Sequence, residues 1–178
     1  MFSDRRSRRV IFLAHCILNQ NAISDGTAGY PAAHREVVQA ILDAQVGVVQ
    51  MPCPELCCLG LDRGDPQGGE RPVVVENTRI RAAMCQPRPR ERLERLVESV
   101  LYQVGQYRQH GFDIVGIVGV DRSPTCGVNT TSDQDRELEG QGEFIRAIQT
   151  GLSARGLSIP VVGIRCDREA AERVRSIL

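Results

Sequence analysis

The sequence predicts an α/β fold, namely a single Rossmann-like domain of three layers with a mostly parallel sheet. Short apolar runs alternate with segments of helical periodicity, which is typical of βαβ architecture. The run from Asp113 to Val120 is rich in Ile and Val without polar alternation, as expected for a strand buried on both faces. Because 178 residues suffice for one core but not for two ordinary ones, residues 1–178 are predicted to form one domain.

The first half of the chain is predicted to fold as strand, helix and strand. The strand Val10 to Ala14 comes first, and a helix from about Ala33 to Ala44 follows a Gly-rich loop. The chain then returns as a strand from Val46 to Met51. The next segment, Pro54 to Glu70, carries several glycines and is predicted to form a long irregular flap over the ends of the strands.

The second half is predicted to contain two helices, two strands and a short terminal helix. Their predicted spans are about Arg88 to His110, Asp113 to Val120, Gly140 to Ala154 and Ile159 to Ile164, with Asp167 as the cap of the terminal helix. Gly111 is expected to end the first of these helices. Strands and helices therefore alternate throughout, and the chain shows no internal repeat or linker.

The charge balance favours a small molecule as the partner. The formal net charge is zero, so neither nucleic acid nor a membrane is expected as a partner. All 22 basic residues are arginine, which excludes Schiff-base enzymes and ordinary P-loop proteins because both need a lysine. Trp is absent, which argues against a stacking platform for single-stranded nucleic acid.

The cysteine pattern indicates a reducing compartment. The chain has seven cysteines, an odd number, without the regular framework of small secreted domains. The apolar stretch from Val10 to Ala14 is too short for a signal peptide, and no run approaches the roughly 18 residues of a membrane span. We therefore expect a cytoplasmic protein.

Three of these cysteines stand where predicted strands end. Cys16, Cys53 and Cys126 each follow a short apolar run and lie in polar or Pro/Gly-rich turns. In an open parallel sheet, the crevice outside the carboxyl ends of the strands is where ligands bind, so the three thiols are expected to share one site. The alternative is that all three are small buried hydrophobes, which would make the three turns incidental. The pattern favours a metal centre.

Two kinds of metal centre suit such thiols differently. A zinc site would need His15 or Cys57 as a fourth ligand, and structural zinc sites usually take ligand pairs from one knuckle. Only Cys53 and Cys57 have such a spacing. An iron–sulfur cube suits widely separated thiolates better, and with three protein ligands it leaves one iron open. An open position is what distinguishes a catalytic metal centre from a structural one.

Three segments resemble the thiouracil desulfidase family, formerly a domain of unknown function. They read CILNQNAISDG, PCPELCCLG and DRSPTCG, in the family's order and at similar separations. The resemblance implies a Rossmann-like domain that binds a [4Fe-4S] cluster with one free iron. Residue by residue it implies Cys16, Cys53 and Cys126 as cluster ligands, Glu55 and Ser123 as catalytic side chains, and Asp25, Gly26 and Arg122 as matching positions near the substrate.

The chain also departs from the family pattern. Where the family has Cys-Leu-Leu-Gly and then a second Cys, this chain has Ile17, Leu18 and Asn19, and later Ala22 and Ser24. The Gly-Gly-Leu turn after Cys-Pro-Glu is also replaced. The departures predict a divergent relative with a changed pocket wall, acting on another thiocarbonyl compound.

The expected activity is non-redox hydrolysis of a C=S bond at the open iron, with release of hydrosulfide. Glu55 is predicted to move a proton, Ser123 to position water or substrate, and Arg63 to meet an anionic substrate group from the flap. One alternative is a non-enzymatic iron–sulfur binding or sulfur-delivery protein. In another there is no cluster, and Cys53 is a redox or nucleophilic thiol. The sequence assigns no role to Cys57, Cys58, Cys85 or Cys166.

Overall fold

The computed structural model describes residues 2–178. Its strands are β1 (Arg9–Leu13), β2 (Gly47–Gln50), β3 (Asp113–Val120), β4 (Thr130–Asp133), β5 (Arg136–Glu139) and β6 (Val161–Ile164). Its α-helices are α1 (His15–Leu18), α2 (Arg35–Asp43), α3 (Pro54–Leu59), α4 (Val73–Met84), α5 (Pro87–Gln109), α6 (Glu143–Ala154) and α7 (Ala170–Arg175). Two single 3₁₀ turns complete the structure, at Gln20–Ala22 and Gly68–Glu70.

Four strands form a parallel sheet in the order β2-β1-β3-β6. The chain moves from β1 outward to β2 and then returns to the other side of β1 with β3. The strand order therefore reverses between β1 and β3, and ligands of open α/β sheets bind outside the carboxyl ends of strands at such a point. We therefore expect a functional site at the loops that follow β1 and β3.

Two groups of helices flank this sheet. Helix α2 packs against α7, whereas α5 packs against α3 and α6. The largest fully buried side chains include Phe12 on β1, Ile117 on β3 and Phe144 on α6, so the core lies between sheet and helices. Strand β3 is buried from Ile114 to Gly119, which confirms the expectation of burial on both faces. The α/β class predicted from the sequence is confirmed.

The predicted flap is regular structure at both of its ends. Its first part is α3, in which Pro54 occupies the first turn, where a missing backbone N–H removes no helical hydrogen bond. The 3₁₀ turn Gly68–Glu70 forms its end. The prediction of a continuous irregular segment is therefore wrong, because proline here starts a helix.

Helix α4 and the hairpin of β4 and β5 lie where the sequence predicted no regular structure. The inward face of α4 carries polar Glu76 and Asn77 beside Ile80 and Met84, so the apolar periodicity that marks a helix is weak. The hairpin of β4 and β5 is mostly polar as well.

The other predicted elements are present with shifted ends. The helix predicted from Gly140 begins at Glu143, and the last helix begins at Ala170. Asp167 does not cap that helix directly, but its carboxylate accepts a hydrogen bond from the Glu169 N–H at 3.0 Å. Within residues 2–178, no helix has both the length and the apolar character needed to cross a membrane.

Candidate functional site

A cavity of about 290 Å³ opens at the carboxyl ends of the parallel strands. Its walls come from the segments that follow β1, β2, β3 and β6, together with α4. Its lining includes Cys16, Ser24, Cys53, Glu55, Arg63, Asn77, Asp121, Arg122, Ser123, Thr125, Cys126 and Cys166. The cavity therefore holds four thiols, one glutamate and several hydroxyls at the switch point of the sheet.

Cys16 and Cys53 enter the cavity from neighbouring strands. Cys16 lies in α1, three residues after the end of β1, and its carbonyl accepts a hydrogen bond from Gln20 Nε2 at 2.7 Å. Cys53 is the N-cap of α3, where its Sγ accepts a hydrogen bond from the Leu56 N–H at 3.5 Å. Arg63 Nη2 lies 3.8 Å from the same sulfur. Cys53 is thus fixed by both a helix start and a cation.

Cys126 is held by the loop that follows β3. The Ser123 hydroxyl accepts hydrogen bonds from the N–H groups of Thr125 at 3.2 Å and Cys126 at 2.9 Å. Asp121 braces the far side of the loop, because its Oδ1 accepts from the N–H groups of Val128 at 3.1 Å and Asn129 at 2.9 Å. Cys126 is buried by this folded loop.

The three thiols influence each other electrostatically. Burial raises the pKa of Cys16 and Cys126 well above the usual range, and raises that of Cys53 to about 11. Negative charge on Cys53 raises the pKa of both Cys16 and Cys126 further. Three thiolates at this place would therefore repel one another, and a bound cationic centre would relieve that repulsion.

The thiols are not spaced for a single metal ion. Within residues 2–178, no group of three or more His, Cys, Asp or Glu side chains is arranged to hold one ion. A zinc ion binds sulfur at about 2.3 Å, so its sulfur ligands lie no more than roughly 4.6 Å apart. The zinc alternative thus gains no support from the described residues.

Glu55 is buried beside the thiols and receives donors on both carboxylate oxygens. Its Oε2 accepts from Arg63 Nε and from the Ser24 hydroxyl, each at 3.2 Å. Its Oε1 accepts from the Thr125 hydroxyl at 2.7 Å and from the Ser123 hydroxyl at 3.4 Å. Only 6% of Glu55 is exposed, so these four donors replace water around the carboxylate.

Arg63 connects Glu55 and Cys53 to the backbone of two neighbouring segments. Besides Glu55 and the Cys53 sulfur, its guanidinium donates to the carbonyls of Gly60 at 3.2 Å, Leu61 at 2.9 Å and Ala22 at 2.6 Å. A guanidinium has five N–H donors, and five contacts are present. Arg63 lines the cavity as a support for Glu55 and Cys53, with no N–H left over for an anionic substrate group.

Arg122 also lines the cavity, but its contacts differ from those of Arg63. Its backbone is left-handed, with φ of 71°, and its N–H donates to the Thr130 carbonyl at 3.0 Å. Its carbonyl accepts from the Ser132 hydroxyl at 2.7 Å and from Asn77 Nδ2 at 3.3 Å. Within residues 2–178, its guanidinium makes no hydrogen bond or ion pair. Its backbone is therefore anchored while its charge stays available to the cavity.

Two of the predicted site residues lie elsewhere. Asp25 and Gly26 form an exposed turn outside the cavity, in which the Asp25 carboxylate accepts from the Gly26 N–H at 2.9 Å and lies against Gly69. His15 is likewise outside the lining. Burial lowers the pKa of His15, and its buried Nε2 has no hydrogen-bond partner within residues 2–178.

Sequence reasoning missed several cavity residues, of which three matter most for the site. Thr125 makes the shortest contact to Glu55, and Ser24 donates to the opposite oxygen. Cys166 follows β6, the fourth parallel strand, in the same way that the other thiols follow theirs. The signal for Cys166 was present, because the predicted last strand ends only two residues before it.

Comparisons with known proteins find one protein of similar sequence and one of similar structure. No family model matches the chain. The chain is 28% identical over 123 residues to an uncharacterized protein of Methanocaldococcus jannaschii, covering 69% of this chain and 70% of that protein. Its fold is similar to that of a [4Fe-4S]-dependent thiouracil desulfidase, with a TM-score of 0.48 and 14% identity over 95% of this chain and 97% of the other. At these values, neither likeness assigns an activity to this chain.

Proposed function

We propose that residues 1–178 form a single [4Fe-4S]-dependent desulfidase domain that hydrolyses a thiocarbonyl compound and releases hydrosulfide. One observation carries the proposal. Three thiols, delivered by three parallel strands, line the same cavity as a buried glutamate with donors on both oxygens. The motifs that hold these residues are those that resemble the thiouracil desulfidase family.

The donor set fits an iron–sulfur cluster. Cysteine thiolates are the usual ligands of such clusters, and Cys16, Cys53 and Cys126 offer three of them from three separate loops. Their arrangement does not meet the requirement of a single ion. A bound group that bears positive iron centres would relieve the repulsion between the charged forms of the thiols.

When bound, an iron without a protein thiolate would act as a Lewis acid that attracts a soft thiocarbonyl sulfur and withdraws charge from its carbon. The rest of the reaction falls to this chain's own groups. Water must lose a proton as it attacks that carbon, and the products are a carbonyl compound and hydrosulfide. No electron is transferred overall.

Glu55 is the proposed proton carrier. Three of its four donors lie at 3.2 Å or less, whereas the Ser123 hydroxyl lies at 3.4 Å from Oε1. Because Ser123 makes the longest contact, it is the donor most easily exchanged for a water molecule. Oε1 then accepts the proton of that water and later returns it to the substrate.

Ser123 is the proposed positioning group. Its oxygen already accepts two backbone N–H groups, those of Thr125 and Cys126. Its remaining hydrogen-bonding capacity is therefore mainly that of a donor. A donor fixed at this place can hold water or a polar atom of the substrate beside Glu55.

Arg122 is the proposed substrate-binding cation. Arg122 lines the cavity, and its guanidinium forms no ion pair within the part of the chain that the structure describes. A planar guanidinium of this kind suits a carboxylate, a phosphate or a ring carbonyl of the substrate.

The direct test measures iron and acid-labile sulfide per chain after anaerobic purification, for the wild-type protein and for Cys53→Ser. We expect about four of each in the wild type, with most of both lost in the variant. Cys85→Ser is a matched control, because Cys85 is exposed and stands outside the cavity. Less than one iron per chain after anaerobic reconstitution of the wild type would reject the proposal.

A non-enzymatic iron–sulfur or sulfur-delivery protein is the second candidate. It is favoured by the saturation of Glu55, because four donors are also what a purely structural carboxylate would have. Such a protein would hold the cluster and would release no sulfide from 2-thiouracil or from other thiocarbonyl compounds. Sulfide release by the loaded wild type separates the two candidates.

A further inference from the structure

The fourth strand of the parallel sheet also ends in a thiol. Cys166 follows the last residue of β6, Ile164, by two positions. It lines the same cavity as Cys16, Cys53 and Cys126. Each of the four parallel strands therefore delivers one cysteine to one crevice, whereas the remaining cysteines, Cys57, Cys58 and Cys85, lie outside its lining.

Close packing holds Cys166 next to the Cys16 side of the cavity. A methyl group built on Gly29 would lie 2.8 Å from Cβ and 3.4 Å from Sγ of Cys166, so only glycine fits there. The Gly29 N–H donates to Gln20 Oε1 at 3.0 Å. The other end of the same amide donates to the Cys16 carbonyl at 2.7 Å. One glutamine thus ties Cys16 to Gly29, the residue that packs against Cys166.

We propose that Cys166 supplies a fourth thiolate to the iron–sulfur cluster held by Cys16, Cys53 and Cys126 when no substrate is bound. The inference rests on the proposed function, because it presupposes that cluster. Iron–sulfur cubes usually take four cysteines, and this cavity contains four.

The position of Cys166 also lets it leave. Cys166 is exposed, whereas Cys126 is buried and Cys16 and Cys53 are half-buried. Cys166 also precedes α7 in an irregular segment. With the cluster bound, a thiocarbonyl sulfur would replace the Cys166 sulfur by ligand exchange, in which one iron–sulfur bond breaks, one forms and no electron is transferred. The thiolate then returns when hydrosulfide has left.

The experiment compares how readily one iron is lost. An iron without a cysteine ligand is released on mild oxidation, which converts a four-iron cluster into a three-iron one. Anaerobically loaded wild type, Cys166→Ala and Cys85→Ala are treated with ferricyanide. Iron per chain is then measured, together with the low-temperature electron paramagnetic resonance signal of a three-iron cluster.

We expect the wild type and Cys85→Ala to keep about four irons, and Cys166→Ala to fall to about three with a strong three-iron signal. Gly29→Ala, which displaces Cys166 without removing it, is expected to resemble Cys166→Ala. Equal iron loss in the wild type and Cys166→Ala would overturn the role of Cys166 while leaving the cluster in place. Absence of iron from every loaded protein would instead remove the proposed function, and the inference with it.

Discussion

Glu55 and Glu76 are two glutamates buried to nearly the same degree, but different partners hold them. They are 6% and 5% exposed, respectively. Glu76 lies on α4 outside the cavity and is clamped by two arginines, with Arg79 Nη2 at 2.6 Å and Arg71 Nη1 at 2.9 Å. Glu55 has one arginine and three hydroxyl donors from two separate loops. Burial alone therefore does not mark a functional carboxylate.

The two glutamates differ in the chemical nature of their hydrogen-bonding partners. Arg71 and Arg79 are themselves part-exposed, and their charges hold the pKa of Glu76 below its ordinary value, with Arg79 the larger influence. Hydroxyl groups around Glu55 can turn away and be replaced by water, which a pair of clamping guanidinium groups does not allow. Glu76 is therefore held in ion pairs with two arginines, whereas Glu55 is the proposed proton carrier.

The largest expected effect comes from removing the charge of each glutamate in turn. Glu55→Gln should lower the rate of sulfide release by roughly 10²- to 10⁴-fold, because a general base is lost, while the iron content stays unchanged. Glu76→Gln, the matched control, should retain the rate within about twofold, since Glu76 is not part of the cavity. Sulfide release from a panel of thiocarbonyl compounds measures both. Equal rates for the two variants would erase the functional distinction between the glutamates.

Truncation to alanine should also separate the two glutamates by the free energy of unfolding. Glu55→Ala leaves the Arg63 guanidinium, which is 3% exposed, without its anion, and such a loss typically costs about 3–5 kcal/mol. Glu76→Ala leaves part-exposed arginines that water can reach, so about 1 kcal/mol is expected. Urea unfolding of both cluster-free variants measures the difference. A larger loss for Glu76→Ala would contradict the role of Arg63 as a buried cation that depends on Glu55.

The Ser123→Ala variant tests whether the Ser123 hydroxyl organises the loop that carries Cys126. Ser123→Ala removes the acceptor of two backbone N–H groups, and about 1–3 kcal/mol of stability should be lost. Ser24→Ala is the matched control, because Ser24 also donates to Glu55 but accepts no such pair. Thermal unfolding should show a clearly larger decrease for Ser123→Ala than for Ser24→Ala. Equal decreases would mean that the hydroxyl does not organise the Cys126 loop.

The sequence predicted the placement of the three thiols better than it predicted the partners of Glu55. The placement of Cys16, Cys53 and Cys126 in one cavity follows from strand topology, which apolar runs reveal because parallel strands end at a common edge. The partners of Glu55 do not follow in this way. Ser24 and Thr125 meet Glu55 across separations of 31 and 70 residues, and no local pattern encodes such contacts.

The same limit explains the elements that were missed. Helix α4 presents Asn77 to Ser132 and Arg122, and Glu76 to its two arginines, so its inner face is polar. A rule that recognises helices by an apolar stripe does not detect such a face. The flap was predicted to be irregular because Pro54 and the glycines that follow it suggest a loop. Proline is nevertheless well suited to the first turn of a helix, and Pro54 occupies that position in α3.

The smallest expected effect is the pH dependence of the Glu76 clamp. The pKa of Glu76 is lowered from its ordinary value of 4.5, first by the hydrogen bonds of Arg79, so the ionised form is stabilised by folding. That contribution is fully present above about pH 4.5 and is lost as the pH falls through the lowered value. The stability difference between wild type and Glu76→Gln should therefore shrink between pH 7 and pH 3. Urea titrations at the two pH values measure it, and a difference that grows on acidification would show that Arg71 and Arg79 do not act on Glu76 as the structure indicates.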